Sequence, residues 1–397
     1  MKSRTSYRSQ QFTESVIREM TRVARAHNAV NLSQGLPDFA APEVIKEAAV
    51  RAIREDYNQY AITWGTSNLR NAISGHYKRW YEMDVDPDKN IVVCCGATEC
   101  MIATLMAVCN PGDEVIVFEP FYENYGPDSW LSGATPRIVS LRPTPTPSGG
   151  KTWAFDPDAL RRAFNNKTKA IIVNTPHNPT GHVFTRNEMS LIAELCVTHD
   201  VLAVTDEIYE FIIYDNRLHI PIATLPGMAD RTITISGMSK TFSVTGWRLG
   251  YCVAPAEITN AIRKVHDFLT VGAPHPLQEA GAVALNLGAD YFAGLRTEYD
   301  AKRRFLLDVV TRAGFAPTDP EGAYYIMADF SALRRSPDQN DVDFGMWLIK
   351  EIGVATVPGS SFFWDRSNGA NFVRFAYCKR DETLHAAAER LLRIAHV

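Results

Sequence analysis

Between residues 91 and 253, short runs of almost wholly apolar residues alternate with helical stretches, and nothing else in the chain constrains its fold as strongly. "NIVVCCG" leads into "ATECMIATLMAV", and "DEVIVFEP" follows a Pro-Gly turn. Then come "KAIIVNTP", the helical "RNEMSLIAELCVTH", "DVLAVTDEIY", "TITIS" and "YCVAP". Strands that are apolar on both faces and separated by helices imply a mainly parallel α/β sheet covered on both sides. With 397 residues, 46% of them hydrophobic, the chain can fill such a core and a second, smaller one.

After about residue 285 the pattern changes. A long helical stretch, "DYFAGLRTEYDAKRRFLLDVVTRAG", precedes "GAYYIMADF", a helix near "DFGMWLIKEIG", and "NFVRFAYCK", which together read as an α+β unit. The expected division is therefore 46–285 for the large domain and 286–397 for the small one. Residues 1–45 have no core of their own and are expected to pack with the small domain. The segment "RPTPTPSGG" at 142–150 reads as a surface loop.

The net charge of -4 and the scattered basic residues suggest no nucleic-acid or membrane patch. Seven cysteines without paired or zinc-type spacing point to a reducing compartment, and Cys94 and Cys95, in an apolar run, read as buried free thiols. "MKSRTSYRSQQF" has no apolar core of signal-peptide length, so a cytoplasmic protein is expected.

In a parallel α/β sheet the ligand lies beyond the C-terminal ends of the strands. Four strand ends carry groups capable of chemistry. At "VVCCGATE" a strand ends at Gly96 and a helix begins near Ala97 and Thr98, leaving free amides suited to an anion. Thr98 as an ordinary helix cap explains the pattern about as well. Asn178 in "NTPHNPTG" is either an amide aimed into the crevice or part of a common Asn-Pro turn. Asp206 follows "VLAVT" directly, where a carboxylate is costly unless it meets a cation, and Tyr209 lies three residues on. A structural salt bridge is the alternative.

The fourth is Lys240, just past "TITIS", set among Gly237, Ser239, Thr241 and Ser243 with no acid between 234 and 251 and with Arg248 nearby. Burial and a second cation disfavour the ammonium, which is how a lysine becomes a Schiff-base nucleophile. A phosphate seat, a carboxylate for a ring cation and an imine-forming amine together describe the handles of pyridoxal 5'-phosphate.

The chain resembles the class I pyridoxal-phosphate aminotransferases of fold type I. The likeness runs from about residue 12 to the end through "NLSQGLPDF", "NQYAITWGTSNLR", "GATE", "EPFYENY", "NTPHNPTGHVF", "TDEIYEF", "SKTFSVTGWRLGY", "GAYYIMADF", "VPGSSFF" and "VRFAYCK". It is most similar to the branch of kynurenine, glutamine and methionine transaminases and cysteine-conjugate β-lyases. The resemblance implies a large domain with a seven-stranded, mainly parallel sheet. By the same resemblance Lys240 carries the cofactor and shuttles the substrate's proton, Asp206 keeps the pyridinium protonated, and Asn178 and Tyr209 bond the ring oxygen. Tyr122 stacks on the ring, while Gly96, Ala97, Thr98 and Arg248 hold the phosphate. The family often has a hydroxyl three places before the lysine, where this chain has Gly237, so Ser236 or Ser239 is expected to supply it.

Arg374 matches the arginine that takes the substrate α-carboxylate, with Gly35 and Asn178 beside it. Tyr60 resembles the tyrosine that reaches the neighbouring subunit's phosphate, which implies a homodimer. Relatives in this branch usually carry a small residue where this chain has His275, which reads either as a reader of substrate side chains or as a solvated loop histidine. No arginine lies between Thr270 and Gln278 to meet a second carboxylate, so a neutral L-amino acid is the expected donor, exchanging its amino group with a 2-oxo acid. The alternatives share the cofactor: β-elimination as a C–S lyase, or decarboxylation with oxidative deamination of a cysteine-type substrate in specialised biosynthesis. A cofactor-sensing regulator of this fold would need a DNA-binding region, and no basic helix is attached.

Overall fold

The computed structural model describes residues 4–12, 14–146 and 149–394. Its centre is an eight-stranded sheet. In order across the sheet the strands are Ile91–Cys94, Gly250–Val253, Thr232–Gly237, Leu202–Asp206, Thr168–Asn174, Glu114–Glu119, Thr135–Pro145 and Lys151–Phe155. All run in one direction except Gly250–Val253 and Lys151–Phe155. Alternation along each strand divides the core, as the two-residue period of a strand requires. Val92, Cys94, Val115, Val117, Ala170 and Ile172 pack with Met101, Ala103 and Leu105 of the helix Ala97–Val108. Ile116, Phe118, Ile171 and Val173 face the other way, onto Met189, Ile192 and Cys196 of the helix Arg186–His199. That helix starts on a capping box in which Thr185 and Glu188 satisfy each other's free backbone amides.

The expected seven strands carry an eighth, and its partner corrects the reading of 142–145 as loop, while Thr146, Gly149 and Gly150 stay outside any strand. Thr135–Ser140 pair with Glu114–Glu119, but Leu141–Pro145 run past the main sheet and pair only with Lys151–Phe155. A ribbon with one neighbour leaves a free side toward which proline can turn its missing donor, so Pro143 and Pro145 are tolerated in a strand. Pro147 and Ser148 lie outside the described residues.

A four-stranded antiparallel sheet in the order Ala316–Pro317, Tyr325–Asp329, Phe372–Ala376, Val357–Pro358 forms a second layer, with the long helix Ala289–Arg312 beside it in sequence. The N-terminal segment is tied to this part of the chain: Val30–Asn31 pair in parallel with Val354–Ala355. The cysteines are all free, and Cys95, expected to be buried, is only half-buried. Among the described residues no helix is long and apolar enough to cross a membrane.

Candidate active site

The strand ends converge on a cleft of about 720 Å³. Lys240, Asp206, Tyr209, Asn178, Ala97, Thr98, Tyr122, Ser239, Arg248, Arg374 and Gly35 all line it. Lys240 lies three residues beyond the strand Thr232–Gly237 and Asp206 ends the neighbouring strand, so the sheet itself sets the two groups side by side.

Lys240 has no ion-pair partner among the described residues. Its Nζ donates to the Gly35 carbonyl at 3.2 Å and lies about 6 Å from the Tyr209 and Tyr324 rings. Burial pushes its pKa down from the ordinary lysine value to about 8, and the nearby Arg374 and Arg248 charges push the same way. Asp206 is buried, which raises its pKa, against the opposing hydrogen bond that Tyr125 donates to its Oδ2 at 2.7 Å. Asn174 donates to the Asp206 carbonyl at 2.8 Å and accepts from the Asn178 amide at 2.7 Å, linking two strand ends into one rigid floor.

Arg374 is fully buried in the strand Phe372–Ala376. It donates to Asn178 Oδ1 and to the Ser33 carbonyl, both at 2.8 Å, and its guanidinium lies between the Tyr325 ring (4.2 Å) and the Phe362 ring (4.7 Å). Among the described residues its Nε has no hydrogen-bond partner and no carboxylate pairs with its guanidinium. Tyr209 and Tyr325 share a hydroxyl–hydroxyl bond of 2.9 Å.

At the other end, the helix Ala97–Val108 begins beneath Arg248. Gly96, not Thr98, is its N-cap, with φ +87, and a side-chain carbon there would lie 2.5 Å from the Arg248 guanidinium. The left-handed backbone favours glycine here, and a larger residue would also displace the end of the Arg248 side chain. Arg248 is exposed to the cleft, held by a bond to the Thr245 carbonyl at 3.0 Å. The amides at Ala97 and Thr98, the Ser239 hydroxyl and Arg248 line the same end of the cleft and are a donor set that could hold a phosphate.

Two expectations are corrected. Ser236 does not line the cleft; its Oγ donates to the buried Glu210 at 3.2 Å, because strand alternation turns it to the face opposite its neighbours. His275 is not in a loop: it is the first residue of the helix His275–Leu285, its Nδ1 lies 3.0 Å from the Gln59 carbonyl, and its ring meets Tyr57 edge-on. That contact puts it beside Tyr60, which is 85% exposed and away from this chain's own cleft.

Sequence reasoning did not single out Tyr125, Tyr325 or Asn174. Each stands within a quoted motif, but its function is to bond another site residue, which only the fold reveals. It also passed over Arg18, Arg366 and Trp364, which line the mouth of the cleft from segments far apart in sequence.

The donor set fits pyridoxal phosphate: an amine without an acid partner, a buried carboxylate with room for a ring nitrogen, and a cationic helix start where an added Cβ would strike the arginine. Comparison with known proteins agrees. The profile described as "Aminotransferase class I and II" matches residues 27–391. Over 417 aligned positions the chain is 37% identical to a kynurenine–oxoglutarate transaminase of Dictyostelium discoideum, covering 98% of this chain and 96% of that protein. It is 38% identical to a probable N-succinyldiaminopimelate aminotransferase of Mycobacterium tuberculosis over 98% of both chains. The solved N-succinyldiaminopimelate aminotransferase from Mycobacterium tuberculosis superposes with a TM-score of 0.94 at 38% identity, covering 98% of this chain and 100% of that one. YbdL of Escherichia coli, with an identified methionine aminotransferase function, superposes at 0.92 with 33% identity, over 98% of this chain and 99% of that one. Sequence, site and relatives agree that this chain belongs to the class I and II aminotransferases, pyridoxal-phosphate enzymes that exchange an amino group between an amino acid and a 2-oxo acid.

Proposed function

We propose that the amino donor is a neutral L-amino acid and that each site is completed by a second copy of the chain. The observation that carries this reading is the cleft lining, where apolar side chains stand beside Lys240, which donates to the Gly35 carbonyl, and Arg374, which donates to Asn178 and the Ser33 carbonyl. When bound, pyridoxal phosphate supplies an aldehyde and a pyridinium ring that withdraws electrons from the substrate's Cα. Lys240 would take the substrate's Cα proton and hold it for return, a task helped by an amine that is neutral above about pH 8. Asp206, braced by Tyr125, would hold a proton on the ring nitrogen. Asn178 and Tyr209 would donate to the ring oxygen, and Tyr122 would supply an aromatic face to the ring. Ala97, Thr98, Ser239 and Arg248 take the phosphate, while Arg374 receives the α-carboxylate in bidentate fashion.

Phe12, Ile17, Phe121, Phe363 and Trp364 in the lining support a neutral side chain. The exposure of Tyr60, with His275 tied to the same segment, supports a homodimer in which both reach the partner's site. Seven free thiols support a cytoplasmic location. The two sheets support large and small domains at 46–285 and 286–397, with 1–45 joined to the latter through its strand pairing.

The test is a panel of methionine, glutamine, phenylalanine, kynurenine, an S-substituted cysteine and aspartate. The expected products are the matching 2-oxo acid and the aminated acceptor in equal amounts, with aspartate at least about a hundredfold poorer in kcat/KM than the best donor. Pyruvate and ammonia without amino transfer, or carbon dioxide with oxygen uptake, would overturn the reading.

A further inference from the structure

One histidine lies behind the phosphate end of the cleft without reaching it. His266 stands in the helix Ala256–Thr270, is fully buried, and is not part of the cleft lining. Its Nδ1 is 2.7 Å from Oε1 of Glu99, in the first turn of the helix Ala97–Val108, and its Nε2 is 2.9 Å from the Thr63 carbonyl. Glu99 is buried too, and its second oxygen accepts from the Cys95 amide. Thr270 donates to Oε1 of the same carboxylate at 2.8 Å. The Cys95 carbonyl in turn accepts from Arg248 at 3.5 Å. A continuous run of contacts therefore leads from Thr63, through His266, Glu99 and Cys95, to the arginine at the phosphate end.

The partners fix the state of the ring. A carbonyl oxygen and a carboxylate oxygen only accept, so each ring nitrogen has to donate, and a ring that donates twice is an imidazolium. A bare Nδ1 would instead set two lone pairs against each other at 2.7 Å. Burial opposes the charge on His266, but its bond to Glu99 and the charge of that carboxylate raise it above the ordinary histidine value. Burial likewise raises the Glu99 carboxyl, yet His266 and the Cys95 amide bring it below the usual carboxylate value. The thiols of Cys94 and Cys252 also face this pair and add no cation.

We propose that His266 is a positioning residue, an imidazolium whose two hydrogen bonds fasten the turn at 95–98 to the segment that carries Tyr60. This rests on the reading that the helix start at Ala97 takes the cofactor's phosphate. On one side of the ring, Glu99 holds the Cys95 amide and so sets the Gly96 turn, on which the direction of the Ala97 and Thr98 amides depends. On the other side the ring holds the Thr63 carbonyl, three residues after Tyr60. The next carbonyl, that of Trp64, accepts from the Val93 amide at 3.0 Å and ties the same segment to the strand that enters the turn. Removing the imidazolium leaves a buried carboxylate without its cation, and the exposed end of the turn is where that cost is relieved.

The test compares binding of pyridoxal 5'-phosphate and of pyridoxal, which lacks the phosphate, to apoprotein prepared from the holoenzyme. The ratio of the two dissociation constants isolates the phosphate end, and wild type is expected to favour the phosphate ester strongly. His266→Gln and Glu99→Gln should each narrow that ratio on the order of tenfold, and the double variant no further, because both act through one contact. Lys264→Gln, exposed on the same helix, should leave the ratio where it was. In the holoenzyme variants, amide hydrogen exchange should rise at 60–66 and 95–98 and stay unchanged in the strand Tyr325–Asp329. Wild-type protein carrying nitrogen-15 histidine should show both His266 ring nitrogens protonated at pH 7, a reading that holds even if His266→Gln does not fold. A neutral His266 at pH 7, a wild-type ratio in Glu99→Gln, or additive losses in the double variant overturns the proposal. So does an equal loss of affinity for both ligands, which leaves the phosphate reading standing. A wild type without preference for the phosphate ester overturns both.

Discussion

Gly250 is where one methyl group should disturb the cofactor most. An added Cβ there would lie 2.5 Å from the Ala97 amide nitrogen, 2.5 Å from the Gly96 carbonyl carbon and 2.9 Å from its Cα. Comfortable carbon contacts are about 3.5–4.0 Å, so the overlap is roughly 1 Å. No flexible side chain can give way, because the atoms struck are the backbone of the turn that starts the helix Ala97–Val108. Nor can the strand retreat: Gly250 is paired with Cys94 on one side and Gly237 on the other. Overpacking of this kind costs about 1–3 kcal/mol, and the cheapest relief is a displacement of the helix start. Losing one charge-assisted hydrogen bond to a phosphate costs about 1.5–3 kcal/mol, so Gly250→Ala should bind pyridoxal phosphate roughly 10–100-fold more weakly. Titration of the apoprotein, followed by absorbance, reads this directly. Gly75→Ala is the control: nothing lies within 4 Å of a Cβ there, and the residue is inside the helix Ser67–Tyr81. It should keep wild-type affinity and gain up to about 1 kcal/mol of stability. Unchanged cofactor affinity in Gly250→Ala would refute the assignment of the phosphate to this helix start.

Asp206→Asn removes the charge opposite the ring nitrogen and should slow exchange of the donor's Cα proton by about 100–1,000-fold, whereas Tyr125→Phe, which removes only the 2.7 Å brace, should be much milder. Near-normal exchange in Asp206→Asn would assign the electron sink to another group. Because the Lys240 pKa is depressed to about 8, its neutral fraction rises through that pH, so the rate at which apoprotein combines with pyridoxal phosphate should climb with pH and level off above about 8. A rate still climbing steeply at pH 10 would contradict that value. Mixing inactive Tyr60→Ala and Lys240→Ala chains should restore part of the activity, since hybrid dimers regain one intact site. No recovery in hybrids shown to form would confine Tyr60 to its own chain.

The strand ends were legible because the sheet does most of the positioning. Continuous apolar runs marked Thr232–Gly237 and Leu202–Asp206, and whatever polar residue came next had to stand in the crevice. Arg374 was readable through the resemblance, which sets it in "VRFAYCK" where the family has its carboxylate-binding arginine. What stayed hidden depends on pairing between distant segments. Tyr125 and Tyr325 act through bonds to Asp206 and Tyr209, and no spacing in the sequence encodes those bonds. The ribbon at Leu141–Pro145 escaped because proline's cost in a strand disappears once one edge is free. Ser236 failed because a shift of one residue along a strand changes face, so a hydroxyl beside Gly237 is not equivalent to one at it. Arg18 and Arg366 were passed over because they stand 348 positions apart and line one cleft only in the folded chain.

The central claim is that Lys240 bears the cofactor, and it can be tested by covalent capture. Purified holoenzyme treated with borohydride, digested and analysed by mass should yield one pyridoxyl-modified peptide, with the modification on Lys240. Lys240→Ala should bind the cofactor without being fixed and should lose turnover. Modification at any other lysine, or a Lys240→Ala enzyme that still turns over and is still fixed by borohydride, would contradict the assignment.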